Sequence, residues 1–166
     1  IMQNSGMVPT MVRQAFRSMT TGRPGAAHLG FPIDSQRGPV DSDQIWSVKS
    51  HAGFPAIRNV PDRTEIERAA NAFISAERPL IICGGGVVIS GAENELGRLA
   101  CRLNLIVATT VSGQGSLADV HPNCLGVVGS NGGVSATRKA VESADLVCFI
   151  GCRAGISDHR KMALSK

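Results

Sequence analysis

Residues 80–86 read Leu80-Ile81-Ile82-Cys83-Gly84-Gly85-Gly86, an unbroken apolar run closed by three glycines. A strand with one face in water alternates apolar and polar residues. Four apolar residues in a row predict a strand covered on both faces, as in a parallel sheet. Upstream, Asp62 and Glu65 have capping-box spacing, and Ile66, Ala69, Ala70, Phe73 and Ile74 form one apolar helical face. Downstream, Ser90 and Glu93 suggest a second box before a helix with Ala92, Leu96, Leu99, Ala100 and Leu103 inward. The alternation continues with a strand at Leu105–Ala108 and a glycine-containing loop from Thr109 to Ala118. A strand at Leu125–Val128, a helix near 135–143 and a strand at Asp145–Ile150 complete it. Repeated strand, loop and helix predict an α/β fold, three-layer α/β/α, with a parallel Rossmann-like sheet.

The first residues are organised differently. Val8, Met11, Val12, Ala15, Phe16 and Met19 recur at helical spacing, with Pro9 in the first turn and Gly22 placed to end the helix. Residues 26–31 suggest a short buried strand stopped by Pro32, with His28 as a core residue. Residues 35–60 hold Gly38, Pro39, Gly53 and Pro55 and keep no period, which predicts a linker between 1–34 and 61–166.

Composition removes several classes of function. The chain has 166 residues and a net charge of +4. That charge is spread as +2 over residues 1–35, +1 over 36–60, −1 over 61–104 and +2 over 105–166, so no basic stripe forms. One Trp and no Tyr leave little to stack on bases, and nucleic acid is not an expected partner. No apolar run approaches ~18 residues, so no membrane span is expected, and no secretory signal is read. Five cysteines without C-x-x-C spacing, three of them in apolar runs, predict buried thiols in a reducing cytoplasm. Four scattered histidines predict no zinc site.

In an open parallel sheet, ligands sit beyond the carboxyl ends of the strands. Every such end here is glycine-bearing: Gly84 to Gly86, Thr109 to Gly113, Gly129 to Gly133 and Gly151 to Gly155. Glycine lets backbone N–H groups approach a phosphate, and a helix start adds partial positive charge. Arg153 is the natural partner for a phosphate or diphosphate. A G-x-G-x-x-G fingerprint laid on residues 84–89 fails at Ile89, and Ala108-Thr109 supply no acidic residue for a ribose, so an ordinary NAD dehydrogenase is disfavoured. Neither a P-loop nor a G-x-S-x-G elbow occurs.

These residues carry a resemblance. Residues 78–155 contain R-P-x-(apolar)-x-x-G-G-G, T-T-x-x-G-x-G, H-P-x-x-x-G-x-x-G, A-D-L and G-x-R in order. This resembles the central domain of thiamine-diphosphate-dependent enzymes of the acetolactate synthase type. Thr21-Gly22-Arg23-Pro24-Gly25 and Phe31-Pro32-Ile33-Asp34 are similar to the end of that family's pyrimidine-binding domain. The resemblance implies a sirtuin-like, FAD/NAD-binding type of sheet, C-terminally incomplete here. Residues 1–34 would then be the tail of the pyrimidine domain, 35–60 the linker and 61–166 the central domain.

The family binds thiamine diphosphate between its pyrimidine and diphosphate domains, with a glutamate in the first and a magnesium-holding G-D-G motif in the second. This sequence has no G-D-G, and no catalytic or metal-binding residue is assigned in it. The resemblance therefore implies the central portion of a larger decarboxylase or carboligase, inactive alone and working with its other domains in a homo-oligomer. In the family this domain holds FAD, or in some decarboxylases ADP. The positions matching the flavin contacts are Arg23, Gly84, Gly85, Gly86, Thr110, Val111, Ser112, Ser130, Asn131, Gly132, Gly151, Cys152 and Arg153. Two departures leave FAD, ADP or neither open: Ala154 to Asp158 replace F-D-D-R-V, and Gly25-Ala26-Ala27 replace P-G-P-V. The alternatives are a stand-alone module for FAD, ADP or NAD, and a segment that mainly supports subunit contacts.

Overall fold

In the computed structural model, residues 3–129 and 133–153 are described. They divide into two compact units between Val60 and Pro61. In the first unit, α1 spans Val8–Thr20 with Pro9 in its first turn, and Gly22 takes φ +65° just past its end. A short α2 (Ile33–Arg37) and two 3-10 turns at Ser42–Gln44 and Lys49–Ala52 follow. Residues 35–60 fold back on α1. Arg13 donates to the Gln44 carbonyl at 2.6 Å and lies 4.0 Å over the Trp46 ring, while the Ala56 N–H reaches the Thr20 carbonyl at 2.8 Å.

The strand expected at residues 26–31 does not form, and His28 is exposed rather than a core residue. A strand needs a neighbour for its N–H and C=O groups, and none pairs with this stretch among the described residues.

The second unit is the expected α/β sheet. Four strands, β1 (Pro79–Cys83), β2 (Ile106–Thr109), β3 (Cys124–Val127) and β4 (Leu146–Ile150), lie parallel in the order β3-β2-β1-β4. Ile81 is opposite Val107 on one side and Cys148 on the other. Successive side chains leave opposite faces. Ile81, Cys83 and Val107 therefore join Leu96 and Ala100 of α5 (Glu93–Leu103) in one core. Leu80, Ile82 and Ala108 join Ala140 and Val141 of α6 (Ser135–Ser143) in the other. Two buried faces explain the lack of alternation in β1, and each such side chain contributes roughly 1.5–3 kcal/mol.

Three local readings are corrected. Helix α3 (Arg63–Ser75) is capped by Asp62, whose carboxylate accepts the Thr64 N–H at 2.7 Å, but of its apolar face Phe73 reaches the core while Ile66 and Ile74 are exposed. Ser90 caps no following helix. It ends a one-turn helix, α4 (Gly86–Ser90), with its hydroxyl bonded back to the Val87 carbonyl at 3.0 Å. Of the cysteines placed in apolar runs, Cys83 is buried, whereas Cys124 and Cys148 are half-buried. No helix among the described residues is long and apolar enough to cross a membrane.

Candidate functional site

The chain lays β1, β2 and β3 outward in turn, then returns to place β4 on the other side of β1. The order reverses between β1 and β4, and the crevice beyond their carboxyl ends is where such sheets take ligands. Gly84 to Gly86 leave β1 there and Gly151 to Arg153 leave β4. Beside them, Thr110 leads from β2 into a single 3-10 turn, Val111–Gly113.

These loops are packed backbone against backbone. The Gly84 N–H donates to the Ile150 carbonyl and the Gly86 N–H to the Gly151 carbonyl, both at 2.9 Å. The Thr110 N–H donates to the Cys83 carbonyl at 2.8 Å. A Cβ on Gly86 would lie 2.7 Å from the Gly151 Cα, and one on Gly85 would lie 2.7 Å from the Ser112 carbonyl oxygen. Gly151 takes φ +60°, and a Cβ there would come within 2.6 Å of the Val87 nitrogen. Contacts this close exclude any side chain, so glycine at these positions admits the neighbouring chain. Of the three amides expected to line a phosphate cradle, those of Gly84 and Gly86 are engaged within the fold, and α4, one turn long, adds little dipole.

What faces solvent at this rim is different chemistry. Val111 and Ser112 are exposed on the β2 side, Arg153 is exposed after β4, and Cys152 is half-buried between. A guanidinium, a hydroxyl and an apolar side chain suit a phosphate-bearing group with an apolar ring beside it. Thr110 is buried beneath them. Arg23 belongs to the first unit, in the exposed turn after α1. Ser130, Asn131, Gly132 and residues 154–158 lie outside the described residues.

Beneath the rim, burial with Cys148 and Cys152 nearby pushes the Cys83 thiol up to about 12. Burial also raises the Cys148 thiol. Ser116, fully buried, directs its hydroxyl to the Gly84 carbonyl at 3.5 Å and supports the β1 loop from below. Its role is not visible in sequence, because the two residues are 32 apart. The same holds for a cavity of about 720 Å³ beside α5, where Cys101 meets His121.

Comparison with known proteins matches residues 66–164 to the family described as thiamine pyrophosphate enzyme, central domain. A probable acetolactate synthase large subunit of Methanocaldococcus jannaschii is 39% identical over 148 residues, 88% of this chain and 25% of that protein. Glyoxylate carboligase of Escherichia coli O157:H7 is 30% identical over 151 residues, 91% of this chain and 25% of that protein. The 2-hydroxyacyl-CoA lyase 1 of Mus musculus is 29% identical over 148 residues, 89% of this chain and 24% of that protein. The chain thus spans about a quarter of the length of the curated relatives it matches.

Proposed function

This chain belongs to the thiamine pyrophosphate enzymes, as their central domain, and on that footing we propose that it is the middle segment of a larger thiamine-diphosphate-dependent enzyme. That enzyme decarboxylates a 2-keto acid and transfers or releases the aldehyde unit, as an acetolactate synthase or carboligase does. The observation that carries the reading is the ordered set of motifs, R-P to G-x-R, together with the identity to an acetolactate synthase subunit and a carboligase. Thiamine diphosphate, when bound, supplies the electron sink for the carbonyl carbon. It and its magnesium ion belong to the pyrimidine and diphosphate domains, the partners of this segment in the parent chain.

The part of this chain is to hold a nucleotide of the FAD or ADP type at the sheet's rim. Arg153 takes the phosphate, Ser112 donates to it, and Val111 covers an apolar ring face. Gly84 to Gly86, Thr110, Gly151 and Cys152 complete the proposed contact set. The parent works as a homo-oligomer in the cytoplasm, in keeping with five thiols that form no disulfide.

Calorimetric titration of the chain with FAD, ADP and NAD tests the nucleotide role. FAD or ADP is expected to saturate one site, and Arg153→Gln to weaken it about 10-fold or more, the loss of one charge-assisted hydrogen bond. Failure of both to bind, or binding that Arg153→Gln leaves unchanged, overturns it. Binding of NAD alone favours a stand-alone module instead.

A further inference from the structure

We propose that Cys101 and His121 form a thiol-exchange site for small anionic disulfides, reached through the cavity beside α5. This site is separate from the sheet's rim and does not depend on the nucleotide reading. The cavity, about 720 Å³, lies between α5 and the segment 115–121, with Cys101 on one wall and His121 on the other. Their Sγ and Nε2 atoms are 3.4 Å apart.

The ring's tautomer follows from its other nitrogen. Nδ1 accepts the Asn123 N–H at 3.2 Å, so its lone pair is engaged. In the neutral ring the proton therefore sits on Nε2 and is aimed at the Cys101 sulfur. That hydrogen bond holds the sulfur in one position facing the cavity. Among the five cysteines, Cys101 is the exposed one; Cys83 is buried and the other three are half-buried.

Charge beside the sulfur sets the class of reagent. Arg98, one turn before Cys101, and Arg102, the next residue, both line the cavity. Glu95 pairs with Arg98 at 3.0 Å and offsets part of its charge. Glu93, the acidic residue of the lining, is two turns away, ~12 Å along the helix axis. The surroundings of the sulfur are thus net basic and draw a carboxylate-bearing disulfide.

The step balances without another oxidant. The Cys101 thiolate, its proton lost to solvent, attacks one sulfur of the disulfide R–S–S–R. A new S–S bond forms to Cys101, the reagent's S–S bond breaks, and the second sulfur leaves as a thiolate with the electron pair. The arginines hold the reagent's carboxylates, and His121 orients the attacking sulfur.

The test exposes the folded chain to oxidised glutathione, which is anionic, or to cystamine, which is cationic, and locates the mixed disulfide by peptide mass spectrometry. Cys101 is expected to react at least ~10-fold faster than Cys124 or Cys152 with glutathione disulfide, and this advantage should fall with added salt. Arg98→Gln with Arg102→Gln should reverse the preference between the two reagents. His121→Asn, which keeps an acceptor for the Asn123 N–H, should slow Cys101 alone. Equal reaction at Cys101, Cys124 and Cys152, or a reagent preference untouched by the arginine changes, overturns the proposal. If the His121 variant fails to fold, the wild-type rate ratio and its salt dependence decide the question.

Discussion

The carboxylate of Asp145 accepts the backbone N–H of Arg78 at 2.9 Å, and its second oxygen takes the N–H of Glu77 at 2.7 Å. Arg78 answers with its side chain, whose Nε donates to the Ser143 carbonyl at 2.8 Å. The R-P and A-D-L motifs are thus two halves of one fastening, which sets Pro79 opposite Leu146 and starts β1 and β4 in register. Five residues on, the same two strands deliver Gly84 and Gly151 to the crevice, so a slip at the start would misplace the rim.

Asp145→Ala should therefore lower the unfolding midpoint by a few degrees, and Asp145→Asn, which keeps one acceptor oxygen, by less. Trp46, the lone tryptophan, lies in the first unit, so far-ultraviolet circular dichroism is the appropriate readout. Equal midpoints for all three proteins would show the fastening to be idle.

The pH dependence should fall at both ends. Burial acts upward on Asp145, but the N–H groups of Glu77 and Arg78 outweigh it and hold the carboxyl below its ordinary 3.8. The Thr64 side chain and N–H do the same for Asp62. A depressed folded value gives stability that is complete above 3.8 and disappears as pH falls through the lowered values. Cys83 has the opposite sign. Raised from 9.0 to about 12, its contribution is complete below pH 9.0 and is lost as pH climbs toward 12. Urea melts across pH should show both declines, the alkaline one reduced in Cys83→Ala.

Two glycines should respond with opposite signs. A Cβ on Gly86 meets the Gly151 backbone at 2.7 Å, so Gly86→Ala should destabilise the fold. Gly97, inside α5, has only the Leu117 Cδ1 at 3.8 Å, an ordinary contact. Gly97→Ala should stabilise by about 0.4–1 kcal/mol, since the unfolded chain loses freedom it no longer gives up on folding. Denaturant midpoints of the two variants compare them directly.

The sheet was legible because Leu80–Cys83 and Leu146–Ile150 are apolar on both faces, a pattern tied to burial rather than to neighbours. Residues 26–31 carried a similar local signal, but a short apolar run cannot say whether a partner strand lies beside it. Ser90 and Glu93 matched a cap by spacing alone, and the one-turn α4, which runs from Gly86 to Ser90, is too short to show a period. The glycines at the rim were read from the sequence as places where backbone N–H groups approach a phosphate. What approaches them is a matter of tertiary structure: for Gly84 and Gly86 it is the chain after β4. The Cys101–His121 pair, 20 residues apart, leaves no local trace at all.

The most direct test of the proposed function is release of CO2 from 2-keto acids, pyruvate and glyoxylate among them, by the full-length gene product with and without thiamine diphosphate and magnesium. Release that requires both additions is the expected result. A folded full-length protein that binds thiamine diphosphate but releases no CO2 from any of them, or releases it equally without the cofactor, would contradict it.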